Sequence, residues 1–113
     1  MKNPPATLRP FEDAQLAELM GWFSDRVSLQ TWGGHEFRFP FTAQTFREDA
    51  KLGSLPTWTL VRDRALVAFG QYYLRAGRCH LGRLAVAPDC RGQGLGSTLV
   101  NALCTRGRAE PGV

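Results

Sequence analysis

No apolar run in this chain approaches the roughly 18 residues that a membrane-crossing helix needs, so a membrane partner is not expected. The opening Met-Lys-Asn-Pro-Pro-Ala-Thr has no apolar segment of the kind a secretory signal carries, so export is not expected either. Cysteine is scarce: Cys79, Cys90 and Cys104 are odd in number and show no Cys-x-x-Cys spacing. That favours reduced thiols in the cytoplasm over disulfides or a zinc site. Acidic residues are outnumbered, with a net charge of +4 and a pI near 9.4. Arginine supplies most of the cations, but they are scattered along the chain rather than clustered. This suits an anionic small ligand better than nucleic acid. There is no internal repeat and no low-complexity segment, and 113 residues make one domain.

What the chain does have is the stretch Leu84 to Leu99, Leu-Ala-Val-Ala-Pro-Asp-Cys-Arg-Gly-Gln-Gly-Leu-Gly-Ser-Thr-Leu. A short apolar run stops at Pro88, and a loop follows with Gly92, Gly94 and Gly96. Apolar residues then recur at Leu95, Leu99, Ala102 and Leu103, the spacing of one helix face. Strand, glycine loop, helix is an order that presents bare backbone N–H groups at the positive end of a helix dipole. Such a place suits a phosphate or pyrophosphate. A P-loop would need Lys after its last glycine, and here Ser97 and Thr98 follow Gly96. A dinucleotide fingerprint counted from Gly92 puts Ser97 where its third glycine belongs, and counted from Gly94 its spacing fails. A plain tight turn would explain glycines, but not Arg91 and three glycines at fixed offsets.

Arg91-Gly92-Gln93-Gly94-Leu95-Gly96 matches Arg/Gln-x-x-Gly-x-Gly/Ala, and Leu84-Ala85-Val86-Ala87-Pro88 matches the strand leading into it. This resembles motif A of the GNAT superfamily of acyl-CoA-dependent N-acyltransferases, with a looser likeness from about Thr7 to Leu103. The resemblance implies an α/β (α+β) fold with a mixed, mostly antiparallel central sheet and flanking helices. It implies acetyl-CoA as acyl donor and a primary amine, small molecule or peptide, as acceptor, reacting by direct attack in a ternary complex. Main-chain groups of Leu84, Ala85 and Val86 would pair with the pantetheine arm. Backbone amides of Arg91, Gly92, Gln93, Gly94, Leu95, Gly96 and Ser97 would hold the pyrophosphate. The Val86 N–H would face the developing oxyanion.

Along the chain, Thr7-Leu8-Arg9 reads as a strand ended by Pro10. Leu16, Leu19, Met20 and Phe23 share one face of a helix expected over 12–23. Ser24 to Pro40 reads as an ordered, aromatic-rich loop around Gly33 and Gly34. Thr42 caps a second helix expected to reach about Leu52, with Phe41 and Phe46 placed as a hydrophobic staple and Gly53 as its left-handed end. Strands are expected over Thr57 to Val61, Ala65 to Leu74 and Cys79 to Val86, with turns at Asp63-Arg64 and Ala76-Gly77. Strict alternation would put Leu66, Ala68, Gly70, Tyr72 and Leu74 on one face of the second of these. It would put His80 on the same face as Leu84 and Val86.

An amine nucleophile is mostly protonated at neutral pH and needs a base. His80, on the strand entering motif A, is the candidate, since some members of the resembled family carry a catalytic Glu at this offset. A strand histidine satisfied by a neighbouring backbone group is the alternative. The family places the acceptor beneath the loop after its first helix, so Trp32, His35 and Glu36 are candidate acceptor contacts, with aromatic packing as the rival role. In the resembled fold a tyrosine on a later helix often protonates the leaving thiolate. Arg106 to Val113 shows neither a strand nor a helix pattern, and Tyr72 and Tyr73 lie on an earlier strand. The domain is thus expected to be C-terminally short, incomplete after about residue 105. An open strand edge after Val86 then predicts a homodimer. Acetyl transfer and a non-catalytic CoA-binding or dimerisation module both fit.

Overall fold

The computed structural model describes residues 5–111. Four strands, β1 (Thr7–Pro10), β2 (Thr57–Arg62), β3 (Ala65–Arg75) and β4 (Arg78–Val86), form one sheet in the order β1-β2-β3-β4, antiparallel at every pairing. Two tight hairpins impose that order. Asp63 and Arg64 take φ of 52° and 64°, Ala76 and Gly77 take 53° and 74°, and two successive positive φ values give a turn whose twist matches the strands it joins.

Helices α1 (Leu16–Met20), α2 (Arg26–Gly33) and α3 (Ala43–Asp49) cover one face, and α4 (Leu95–Arg108) covers the other. The first core joins Leu16, Leu19, Phe23, Leu29, Phe37 and Phe46 to Leu66 and Phe69 of β3. The second joins Leu95, Leu99 and Leu103 of α4 to Leu60, Val67, Ala68 and Tyr72. Gly70 lets α4 lie close, because a Cβ there would stand 2.8 Å from Leu103 and Leu84 side-chain carbons. Gly107 is buried for the same reason, since a methyl on it would collide with Cys79.

The helices differ from expectation in four places. The first segment is a short 3₁₀ turn, Asp13–Gln15, followed by α1, which stops at Met20 just before Gly21, a residue costing about 1 kcal/mol relative to Ala in a helix interior. The expected loop contains α2, started by a capping box in which the Asp25 carboxylate accepts from the Ser28 N–H at 2.7 Å. Gly34, with φ of 112°, ends it. The Thr42 cap and the staple are present, with Phe41 and Phe46 rings 5.2 Å apart. Yet α3 ends at Asp49, and Lys51 (φ 54°), not Gly53, takes the left-handed position. Finally, α4 continues through Arg108, so the segment after residue 105 begins as helix. It is tied down by the Tyr72 hydroxyl donating to Glu110, and burial, helped by that bond, holds the Tyr72 pKa above its ordinary value.

Two bulges overturn the simple alternation. Leu60 pairs with Ala68 but Val61 pairs with Leu66, so one extra residue in β3 sends Leu66 to the α1–α3 face, away from Ala68 and Tyr72. In β4, Phe69 faces Ala85 while Gln71 faces Gly82, which leaves one extra residue there, and Arg83 takes φ of 47°. This second bulge separates His80 from Leu84 and Val86. His80 pairs with Tyr73 and stacks on it at 5.0 Å, on the α1–α3 face, whereas Leu84 and Val86 pack on the α4 face.

Candidate functional site

β4 ends in a backbone geometry set by proline and glycine. The Ala87 N–H donates to the Val67 carbonyl at 2.9 Å, and N–H groups alternate in direction along a strand, so the Val86 N–H points to the open edge. Pro88, which has no N–H to satisfy, opens a 3₁₀ turn to Cys90, and the Cys90 N–H closes it on the Ala87 carbonyl at 2.9 Å. Gly92 and Gly94 follow with φ of 79° and 78°, and a Cβ at either would meet no atom within 4 Å. These are bare, convex-free positions that a bulky ligand can approach to backbone distance.

Gly94 is the N-cap of α4 and offers no side-chain cap. The Thr98 N–H is the one that turns back to the Gly94 carbonyl, at 3.1 Å. The N–H groups of Leu95, Gly96 and Ser97 therefore have no acceptor a turn earlier and sit at the positive end of a 14-residue helix. Arg62 of β2 braces the loop by donating to Gln93 Oε1 at 2.8 Å. A methyl on Gly96 would rest 3.9 Å from Val86, an ordinary contact, in keeping with a motif that accepts Gly or Ala there.

Two cavities flank the end of β4. One, of about 520 Å³, lies between Leu84–Val86 and the start of α4 at Gly96, Ser97, Leu99, Val100 and Asn101. The other, of about 610 Å³, lies on the opposite face under Trp22, Phe23, Ser28, Thr31 and Trp32, and Arg91 reaches it. Leu84, Ala85 and Val86 wall both. A long thin ligand on the α4 side and a second molecule on the aromatic side would thus meet across one strand segment, with an outward N–H between them.

The family model for the acetyltransferase (GNAT) family matches residues 19–113. The chain belongs to that family. Solved acetyltransferase structures share its fold. An N-acetyltransferase from Staphylococcus aureus Mu50 superposes with a TM-score of 0.69 at 16% identity, over 95% of this chain and 68% of that one. The PaiA N-acetyltransferase of Thermoplasma acidophilum, solved in complex with coenzyme A, gives 0.63 at 15% identity over 92% and 72%. A ribosomal-protein-alanine N-acetyltransferase from Brucella melitensis gives 0.63 at 18% identity over 90% and 67%. Of other solved structures it resembles, the chain spans 37% of a putative acetyltransferase from Pyrococcus horikoshii and 75% of a transcriptional regulator from Bacillus halodurans.

In this acetyltransferase most of the expected cofactor residues come together: Leu84, Ala85, Val86, Gly96 and Ser97 line one cavity, Gly92 to Leu95 form the turn that leads into α4, and Arg91 lines the cavity on the opposite face. The expected acceptor residues do not. Trp32 lines the aromatic cavity, stacked on Phe23 at 4.4 Å, and its Nε1–H donates to the Arg83 carbonyl at 2.8 Å. His35 and Glu36 line a separate cavity of about 440 Å³ with Arg83 and Lys51. His80 stands on the face of the aromatic cavity, but its partner Tyr73 is four residues along β3 from Phe69, the partner of Ala85, a separation of roughly 13 Å at about 3.3 Å per residue. Trp22, Ser28, Thr31 and Arg83 are missing from the expected set. Ser28 and Thr31 become visible only once 26–33 is read as a helix.

Proposed function

We propose that this chain binds acetyl-CoA and passes its acetyl group to a primary amine by direct attack in a ternary complex. The observation that carries the reading is the segment Leu84–Val86, walled by a cavity on each face and running into a glycine loop with unpartnered helix N–H groups. In this reading the N–H groups of Leu95 to Ser97 hold the diphosphate and the Leu84–Val86 main chain pairs with the pantetheine arm as an added strand would. The outward Val86 N–H donates to the carbonyl oxygen as charge builds on it. The amine enters from the aromatic side, where its apolar surroundings favour the neutral form. Calorimetric titration with acetyl-CoA, followed by steady-state transfer to a panel of amines, tests the reading. Absence of binding refutes it.

His80 is the proposed base, acting through a chain of several waters because it lies roughly 13 Å up the strand from Ala85. Its replacement by Ala should lower kcat and alter the pH–rate profile, with acetyl-CoA affinity unchanged. If instead the wild-type rate climbs with the acceptor's own free-amine fraction and His80→Ala leaves that profile intact, the proton goes to bulk solvent.

Among the described residues, no strand pairs with the outer edge of β4. We place a second copy along its Arg78–Gly82 part, clear of the Leu84–Val86 segment proposed for the pantetheine arm, and a monomer by light scattering at tens of micromolar would dismiss it. Among those residues no helix is long and apolar enough to cross a membrane. The free thiols of Cys79, Cys90 and Cys104 support a cytoplasmic setting.

A further inference from the structure

Arg83 sits where stability alone would not put an arginine. It occupies the extra position of the β4 bulge with a left-handed φ of 47°, a conformation that costs a non-glycine residue about 1 kcal/mol or more. Its guanidinium is half-buried, centred 5.5 Å from the Phe37 ring, and burial pulls its pKa below the ordinary arginine value. One arm donates to Gln71 Oε1 at 3.0 Å, while Gln71 itself is locked by bonds to the Ala50 carbonyl (2.7 Å) and Thr57 Oγ1 (3.0 Å). Among the described residues the Arg83 Nε–H is the buried side-chain donor left without a partner, and no carboxylate reaches ion-pair distance. Two of the three carboxylates that share its cavity are spoken for: Glu48 and Asp49 both bind Arg38 at 2.8 Å. Glu36 is exposed at the rim, and Lys51 adds a second cation. A strained, desolvated and uncompensated cation facing a 440 Å³ cavity is what a pre-organised anion reader looks like.

The position of that cavity says which anion. It adjoins the aromatic cavity at Trp32–Gly33 and Arg83–Leu84, and the bond from Trp32 Nε1–H to the Arg83 carbonyl is the partition between the two. Arg83 is three residues from Val86, roughly 10 Å along the strand. We propose that Arg83 is a specificity-determining residue whose guanidinium pairs with a carboxylate of the acceptor, so that the acceptor is a primary amine carrying a carboxylate several bonds away. This rests on the acyl-transfer reading for the amine but on Arg83 alone for the carboxylate.

Two matched pairs of probes test it: 6-aminohexanoate against hexylamine for a small acceptor, and the amidated peptides Ala-Ala-Glu against Ala-Ala-Gln for a peptide one. The carboxylate-bearing member of one pair should be preferred at least tenfold in kcat/KM, through KM, and the responding pair identifies the source. Arg83→Met keeps the apolar stem over Phe37 and should erase the preference, and Arg83→Lys should restore part of it. In the CoA-loaded protein, 6-aminohexanoate or the Glu peptide should shift the Arg83 Nε–H resonance while the neutral partner does not. A shift without turnover upholds this inference and sinks the transfer reading. Turnover of both members of each pair at equal kcat/KM, or a preference that survives in folded Arg83→Met, overturns the inference and leaves the transfer reading standing.

Discussion

Gly94→Asp is expected to weaken acetyl-CoA binding by about 100-fold or more, because it removes two or three charge-assisted hydrogen bonds of about 1.5–3 kcal/mol each. The new carboxylate would stand at the N-cap of α4, against the diphosphate that the Leu95–Ser97 N–H groups are proposed to hold, and would accept from those same donors. The fold should survive. A Cβ at Gly94 meets nothing within 4 Å, and Asp tolerates the left-handed φ of 78° better than most residues. Its negative charge at a helix N-terminus offsets part of the strain, so the melting temperature should fall by no more than about 8 °C, the equivalent of roughly 1 kcal/mol. Gly94→Asn separates charge from shape: its side-chain oxygen caps the same donors without a charge, so its affinity should fall between the two, and the gap to Gly94→Asp measures the repulsion between the carboxylate and the diphosphate. Calorimetry on the three proteins gives the answer. Equal affinity in wild type and Gly94→Asp would mean that the diphosphate is not bound at this loop, and the acyl-donor assignment would fall with it.

The strand, turn and helix of the proposed cofactor side were legible in the sequence because each of their signals is local. Pro88 ends a strand, Gly92 and Gly94 license positive φ, and Leu95, Leu99 and Leu103 trace one helix face over fewer than twenty residues. The proposed acceptor side was not, because its geometry depends on cross-strand register. Period-two reasoning assigns His80 and Val86 to one face, and a single extra residue at Arg83 reverses it. One local cue for that bulge was present: Gly82, an isolated glycine inside a strand pattern, which marks such irregularities. The α2 helix was hidden differently. Trp32, Gly33 and Gly34 look like loop chemistry, but the glycines terminate a helix whose start is announced only by Asp25 and Ser28. Leu66 needed knowledge of its β2 partner before its face could be assigned.

Phe46→Ala should produce the largest loss of stability, about 3–5 kcal/mol, a sizeable share of the 5–15 kcal/mol a domain possesses. Phe46 is fully buried and central to the aromatic cluster, with ring centroids 5.8 Å from Trp32, 5.8 Å from Phe37, 6.3 Å from Phe23 and 5.2 Å from Phe41. Rings this close cannot collapse into the void without giving up their own edge and stacking contacts, so little of the cost is recovered. The melting temperature should drop by about 15 °C or more for a domain of this size. The damage should also be one-sided. Trp32, released from Phe46, loses its hold on the Arg83 carbonyl, and with it the brace on the bulge that fixes which way β4 faces. The glycine loop is held from the other face by Arg62 and by α4, which Phe46 does not touch. Assayed well below its melting point, Phe46→Ala should therefore bind acetyl-CoA within about threefold of wild type while its KM for amine rises roughly tenfold, a change of about 1.4 kcal/mol confined to the acceptor. Loss of acetyl-CoA affinity with an unaltered amine KM would show that the two faces of β4 are not separate sites.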